Sequence, residues 1–283
     1  MAVTPIRRFL VVAALLALAG GSMFAATATC ASITPTVGSD YTTLANYIAV
    51  GSCTIGDKLF SNFVINFLGG HGDNSAIPSP SVPAAADVQV SALTGSIGLE
   101  FDFNAANSVA YGQTLSLDIQ YLVTVQDPSW AITSVFSEAY GGLDNVGTAL
   151  SPIYTDASVT AGKNLCLGAA FDTTGGGNTA TNECDTTQLN STVDNGYGFS
   201  LGVHYNDQSG TRTLSSAQTV LGVSDVIALS GGSQNYGSAP VVEIDGMINE
   251  FNQTEESGVP EPATLLLIGS ALLGLGFLRR KRA

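Results

Sequence analysis

Residues 198–202 read Gly-Phe-Ser-Leu-Gly, the G-x-S-x-G pattern of serine hydrolases, and His204 follows closely. That pattern presents its serine on a sharp turn between a strand and a helix. Here the apolar residues Phe199 and Leu201 alternate through the pattern, so Ser200 is predicted to lie within a strand. A triad histidine should also lie well downstream of the serine, and none does. We interpret the pattern as a coincidence in a chain rich in Gly and Ser.

Three carboxylates, Glu100, Asp102 and Glu138, are candidates for the acid and base of sugar hydrolysis. Glu100 and Asp102 alternate with Leu99 and Phe101, as on a strand with one buried face. We therefore expect these acids to be exposed on a strand face, and no catalytic residue is assigned.

Oxygen ligands for calcium occur beside His71, at Asp73, and in the loop from Asp172 to Asp185. The EF-hand spacing is missing, and the loop also fits a turn closed by a disulfide. We assign no metal and no cofactor.

Trp130 is the only tryptophan of the chain. An aromatic platform for carbohydrate would need partners such as Tyr140 or Tyr154. Packing against the core or anchoring a turn is the preferred interpretation.

The chain has four cysteines: Cys30, Cys53, Cys166 and Cys184. An even number in an exported protein predicts two disulfides, and three pairings are possible. The sequential pairing, Cys30 with Cys53 and Cys166 with Cys184, closes short loops and is preferred. Metal binding is not expected, because there is no C-x-x-C spacing and neither histidine lies near a cysteine.

These residues must be positioned by strands, because many short runs alternate in polarity and long helical patterns are missing. The fold class predicted is all-β, an antiparallel sandwich of jelly-roll type. Leu115, Leu117, Ile119 and Tyr121 are predicted to share one face of a strand. The predicted strands span residues 60–67, 88–93, 97–103, 114–125, 132–138, 164–171, 197–205, 220–229 and 241–244.

A short helix is predicted over Tyr41–Val50, with Leu44 and Ile48 on one face. Residues 77–83 contain three prolines and predict a loop or hinge. The strand before this loop belongs either to a separate small piece or to the same sheet, and a single domain is preferred. Residues 254–258 are predicted to be a polar stalk.

Charge is unevenly distributed along the chain. Residues 29–262 contain three basic residues and all 23 acidic ones. A body this acidic repels phosphate backbones, so no binding to nucleic acid is expected. Divalent cations or cationic surfaces are more compatible partners, although the acidity also serves solubility.

Residues 1–28 have the organisation of a signal peptide. Arg7 and Arg8 precede an apolar run of 11 residues from Phe9 to Ala19, which is too short to span a bilayer. Small residues at 26 and 28 predict cleavage after Ala28, with Ala31 as a rival position. General secretion fits better than twin-arginine export or lipoprotein processing.

The C-terminus, residues 259–283, has three parts in a fixed order. Val259, Pro260, Glu261 and Pro262 precede an apolar run of 16 residues, and Arg279, Arg280, Lys281 and Arg282 follow it. The run is about 24 Å long as a helix, slightly short of a hydrocarbon core. The basic cluster would stay in the cytoplasm, which places the body, residues 29–258, outside the inner membrane.

This tail resembles the PEP-CTERM sorting signal of Gram-negative bacteria that make exopolysaccharide. The resemblance implies that Val259–Pro262 are recognised by an exosortase, a membrane transpeptidase, and that the C-terminal transmembrane helix is a transient anchor. Residues 53–63 are also similar to a stretch near the mature N-terminus of other proteins with this tail.

We therefore predict a non-enzymatic protein of the cell surface or extracellular matrix, associated with exopolysaccharide and biofilm. The alternative is a surface module that binds carbohydrate or calcium.

Overall fold

The computed structural model describes residues 28–35, 41–72, 77, 79–103, 108–110, 112–144, 158–171, 192–201, 208–232 and 241–255. The predicted signal peptide up to residue 27 and the tail from residue 256 lie outside this part. Within it, no helix has both the length and the apolar character that crossing a membrane requires.

The described chain contains one α-helix, α1 (Leu44–Val50), and a single helical turn at Cys30–Ser32. Twelve strands make up most of the rest. They are β1 (Ser52–Ile55), β2 (Lys58–Gly72), β3 (Gln89–Ala92), β4 (Gly98–Asp102), β5 (Ser108–Val109), β6 (Gln113–Val125), β7 (Trp130–Asp144), β8 (Ser158–Leu167), β9 (Thr192–Leu201), β10 (Gln208–Gln218), β11 (Val220–Ser230) and β12 (Val241–Glu255).

The strands form two sheets in which every pairing is antiparallel. The first sheet has the order β1-β2-β6-β11-β8-β9, and the second has the order β10-β7-β12-β4-β3, with β5 beside β12. The chain passes from one sheet to the other after β2, β5, β6, β7, β9, β10 and β11. The predicted antiparallel β-sandwich is confirmed.

The core lies between the two sheets, because alternate side chains of each strand point inward. Leu115, Leu117, Ile119 and Tyr121 are all buried on β6, as predicted. Burial of such faces is the main favourable term in folding. β2, which precedes the proline-rich loop, pairs with β6 in the first sheet.

Three local predictions need correction. Helix α1 buries Leu44 and Tyr47, whereas Ile48 is 41% exposed, because the helix turns Tyr47 toward Phe63 in the core. The predicted stalk is wrong at its start, since Thr254 and Glu255 continue β12 opposite Ala131 and Trp130. Strand β10 was not predicted, because its Ser- and Thr-rich sequence lacks apolar alternation.

A polar junction crosses the apolar core. Lys163 on β8 and Asp225 on β11 are directly opposite each other and form a buried ion pair. Asn249, which comes from β12 in the other sheet, donates through Nδ2 to Asp225 Oδ2 at 2.7 Å and to the Tyr121 hydroxyl oxygen at 2.9 Å. Side chains of both sheets therefore meet on one carboxylate.

Candidate functional site

One concavity of the described chain is a depression of about 410 Å³ beside helix α1. Its wall includes two carboxylates of β4, Glu100 and Asp102, and polar side chains of β3 such as Ser91. Tyr41, which is 45% exposed, lies at its edge. The depression therefore combines an aromatic ring with hydrogen-bond acceptors.

The floor of this depression is fixed by the first disulfide. Cys30 and Cys53 are bonded to each other, which confirms that pairing. The Tyr47 hydroxyl donates to the carbonyl of Cys30 at 3.4 Å, and the Tyr47 ring meets Phe63 edge-on at 5.3 Å. Burial raises the pKa of Tyr47 to about 12, so the phenol stays neutral. Tyr47 thus ties α1 to the disulfide-linked segment.

Helix α1 begins in a position set by its own cap. The Thr43 backbone N–H donates to Asn46 Oδ1 at 2.9 Å, in a capping box. The backbone also anchors the helix to the segment before β3, because Leu44 N–H donates to the Val88 carbonyl. These bonds hold Tyr41, just before the helix, near β3.

Glu100 has a defined set of partners at the wall. Its Oε1 accepts from the Tyr140 hydroxyl at 2.8 Å, and its Oε2 accepts from Ser91 Oγ at 3.2 Å. Burial raises the pKa of Tyr140 far above its ordinary value, and the hydrogen bond to Glu100 and the nearby carboxylates raise it further. Tyr140 therefore remains a hydrogen-bond donor at all physiological pH values.

Glu138, the third candidate acid, lies away from Glu100. Ile248 on β12 is paired with Glu100 on one side and with Glu138 on the other. Glu100 and Glu138 are thus two strand spacings apart, or about 10 Å. Glu138 therefore lies on the far side of β12 from Glu100.

The serine of the G-x-S-x-G pattern lies in β9, where residue 200 is opposite Thr160 and Gly198 is opposite Gly162. The pattern follows an extended strand rather than a turn into a helix, as the alternation predicted. His204 lies outside the described residues.

For calcium, the loop from Asp172 to Asp185 and Asp73 both lie outside the described residues. His71 is described, and its Nδ1 lies 2.8 Å from Thr114 Oγ1. The described residues contain no group of three His, Cys, Asp or Glu side chains that could hold a metal ion.

Trp130 is half-buried at the start of β7 and packs against the core, as preferred from the sequence. Tyr140 is engaged with Glu100, and Tyr154 lies outside the described residues. Cys166 is disulfide-bonded, while its expected partner, Cys184, lies outside the described part.

The sorting residues Val259, Pro260, Glu261 and Pro262 lie beyond residue 255, where the description ends. The basic residues Arg279, Arg280, Lys281 and Arg282 do so as well.

Sequence reasoning missed a buried carboxylate on the outer face of the first sheet. Asp118 on β6 is fully buried and accepts from Ser224 Oγ at 2.7 Å and from Gln120 Nε2 at 2.6 Å. Burial raises its pKa to about 6, although the donors Ser224, Gln120 and Asn66 lower it. The alternation of β6 was the only sequence signal, and it does not show that Asp118, on the face opposite Leu117 and Ile119, is buried.

Comparisons with known proteins identify the end of the chain. The PEP-CTERM protein-sorting motif matches residues 258–282. No curated protein matches the chain in sequence. The chain is therefore an antiparallel β-sandwich protein with a sorting tail. More specifically, it is a PEP-CTERM sorting domain-containing protein.

Two similar solved structures are carbohydrate-binding modules. TmCBM61 in complex with beta-1,4-galactotriose has 10% identity and a TM-score of 0.28, over 69% of this chain and 90% of that chain. The family 32 module of C. perfringens NanJ in complex with galactose has 10% identity and a TM-score of 0.18, over 66% of this chain and 100% of that chain.

A third similar structure is the enzymatically active domain of tailspike protein 4 from bacteriophage CBA120. It has 8% identity and a TM-score of 0.27, over 68% of this chain but only 20% of that chain. At such TM-scores none of the three likenesses carries an argument about this protein.

Asp118 generates a prediction about pH. Its carboxyl has an ordinary value of 3.8 when unfolded and about 6 when folded, so the native state binds the proton more tightly. The resulting stabilisation is present below about pH 4 and is lost as the pH rises through about 6. Asp118→Asn should remove this dependence, because its amide cannot titrate.

We expect the free energy of unfolding of the native sequence, relative to Asp118→Asn, to rise by about 2 kcal/mol from about pH 7.5 to about pH 4.5. Urea titrations at both pH values measure it. Asp127→Asn is the control and should keep the pH dependence of the native protein. Hydrogen bonds from Ser129 lower the pKa of exposed Asp127, so this carboxyl does not stabilise the fold at low pH. Equal pH dependence of the native protein and Asp118→Asn would refute the assignment.

Proposed function

We propose that this protein is a non-enzymatic structural component of the cell surface or extracellular matrix, exported and then sorted by an exosortase. The observation that carries the proposal is the sorting motif at residues 258–282. In this motif Pro-Glu-Pro comes before the apolar run, and the basic cluster comes after it. This order places Pro-Glu-Pro at the outer face of the inner membrane, where a membrane enzyme can reach it in an exported substrate. The exopolysaccharide matrix is the proposed destination.

The physical basis of the sorting step is the arrangement of the tail. Pro260 and Pro262 fix φ, which keeps the peptide around Glu261 extended and accessible to an enzyme. The apolar run behind them holds the chain in the inner membrane, and the basic cluster stops it from passing through. Cleavage near the motif would then separate the body from its anchor.

The body supports a scaffolding role. Its long antiparallel strands leave a core filled by apolar side chains, and a disulfide ties the N-terminal segment to β1. Loops closed by disulfides restrict the unfolded chain and so favour the folded form outside the cell. The candidate acids Glu100 and Glu138 are held on a strand face, and Glu100 already accepts hydrogen bonds from Tyr140 and Ser91.

A second candidate function is recognition of saccharides at the depression beside α1. Exposed Tyr41 supplies a ring against which a sugar can stack, and Glu100 and Asp102 supply acceptors for its hydroxyl groups. This site does not depend on Trp130, which packs against the core.

The sorting proposal is tested by replacing Pro260, Glu261 and Pro262 with alanine. We expect the variant to remain in the inner membrane with its tail uncut, because the recognised peptide is gone while the anchor persists. Cell fractionation and mass mapping of the C-terminus measure this outcome. The matched control replaces Glu256 and Ser257 with alanine and should be processed normally. Normal release of the motif variant would refute the proposal.

The saccharide candidate is tested on a glycan array with the exported protein, with and without a chelator. Tyr41→Ala should weaken binding about 5-fold or more, because stacking contributes on the order of 1 kcal/mol or more. Val82→Ala, which also truncates an exposed apolar side chain, should bind like the native protein. If no glycan binds, or if Tyr41→Ala binds unchanged, the depression is not a saccharide site.

A further inference from the structure

The polar junction in the core places an amine, a carboxylate and a primary amide together, away from water. The side chains of Lys163 and Asp225 are 2% and 1% exposed, and Asn249 is fully buried. A lysine in such a position has a reactive nitrogen, and an asparagine has a carbonyl carbon that such a nitrogen can attack. The amine and the amide can therefore react with each other, which the partners of a simple salt bridge do not.

Asp225 is the group that joins the two reactants. Lys163 Nζ donates to its Oδ1, and Asn249 Nδ2 donates to its Oδ2 at 2.7 Å. The amine and the amide therefore bind the two oxygens of one carboxylate. The Tyr121 hydroxyl, 2.9 Å from Asn249 Nδ2, holds the amide from another direction.

The surroundings favour uncharged reactants. The ring of Tyr121 lies among aromatic side chains of both sheets, namely Phe60, Phe63, Phe101 and Phe251. Burial lowers the pKa of Lys163, although the charge of Asp225 opposes this shift. In so dry an environment the neutral amine of Lys163 is favoured over the ammonium, because burying a charge is unfavourable there.

We propose that Lys163 and Asn249 form an isopeptide bond that covalently joins the two sheets of the sandwich. The neutral Nζ of Lys163 attacks Cγ of Asn249, so that the Nζ–Cγ bond forms and the Cγ–Nδ2 bond breaks. Asp225 transfers a proton from Nζ to Nδ2, which leaves as ammonia. The extra proton of the original ammonium stays on Asp225. No oxidant, reductant or second enzyme is required.

Asn249, rather than Asp225, is the acceptor because of the direction of proton transfer. Condensation of Lys163 with Asp225 would expel water, and a separate acid would have to protonate the departing oxygen. The groups that contact Asp225 in the described structure are Lys163 and the amide of Asn249, so no third group is seen there to carry the proton from Nζ to the departing oxygen. With Asn249 as acceptor, Asp225 is itself the proton carrier.

The other buried lysine of the described body provides an internal comparison. Lys58 donates to Gln253 Oε1 and lies 3.1 Å from Asp57 Oδ1. Asp57 contacts the amine, but no bond in the described structure joins it to the amide of Gln253. Its side chain is also 21% exposed, so water reaches it. No carboxylate bridges the two reactants there, and we expect Lys58 to stay free.

The bond would connect β8 to β12 and so close the sandwich across its core. It does not depend on the sorting tail, and it would form in any folded copy of the body. A cross-linked sandwich cannot separate its two sheets, which suits a protein that works outside the cell.

The test is tryptic mapping of the reduced, full-length protein. Trypsin cuts the body after Lys58, Lys163 and Arg212. We expect no cleavage after Lys163, because acylation removes its charge. Residues 59–212 should stay joined to the peptide that begins at residue 213, at a mass one ammonia below the sum of the two. Normal cleavage after Lys58 is the internal control.

Cleavage after Lys163, with separate peptides on either side, would overturn the proposal. A joined peptide that has lost water instead of ammonia would also overturn it, because Asp225 would then be the acceptor.

Two variants identify the roles. Asp225→Asn keeps the shape of the carboxylate but cannot carry the proton, so it should abolish the cross-link or slow its formation at least tenfold. Lys163→Met combined with Asp225→Asn removes the buried charges together, which keeps the core neutral, and it should fold without the cross-link. An unchanged joined peptide in Asp225→Asn would contradict the role of Asp225.

Discussion

The ion pair between Lys163 and Asp225 is the constraint that organises this sandwich. Two charges in an apolar core are costly unless every remaining donor and acceptor is satisfied by well-placed partners. One of those partners, Asn249, comes from the opposite sheet. The two sheets must therefore stack in a single register for Asn249 to reach Asp225, and a slip of one residue between them would remove this hydrogen bond from the buried carboxylate.

The same register positions the outer surfaces. β12 pairs with both β4 and β7, so the position of Asn249 in the core also fixes Glu100 and Tyr140 on the opposite face. Close packing is required along this path, because a Cβ on Gly98 would lie 2.0 Å from the carbonyl oxygen of Asn249. The geometry of the depression beside α1 therefore depends on the core and on the disulfide between Cys30 and Cys53.

Much of this architecture follows from the sequence, and its failures have physical reasons. Alternation predicted β4 and β6 because their apolar residues recur at every second position. It missed β10, because a strand rich in Ser and Thr shows no apolar alternation. It also gave no sign that Asp118 is buried, since alternation cannot show that the outer face of β6 is covered. The polar junction was not predicted from the sequence, because Lys163, Asp225 and Asn249 are far apart in the chain.

The central claim is that the junction makes the two sheets one cooperative unit. Native-state hydrogen exchange tests it directly, because it measures the free energy of opening for each strand. The account predicts that the amides of Val223–Ile227 in β11 and of Met247–Phe251 in β12 open with the same free energy, equal to that of global unfolding. A clearly lower opening free energy for β12 alone would contradict it, because the second sheet would then separate from the first without breaking the junction.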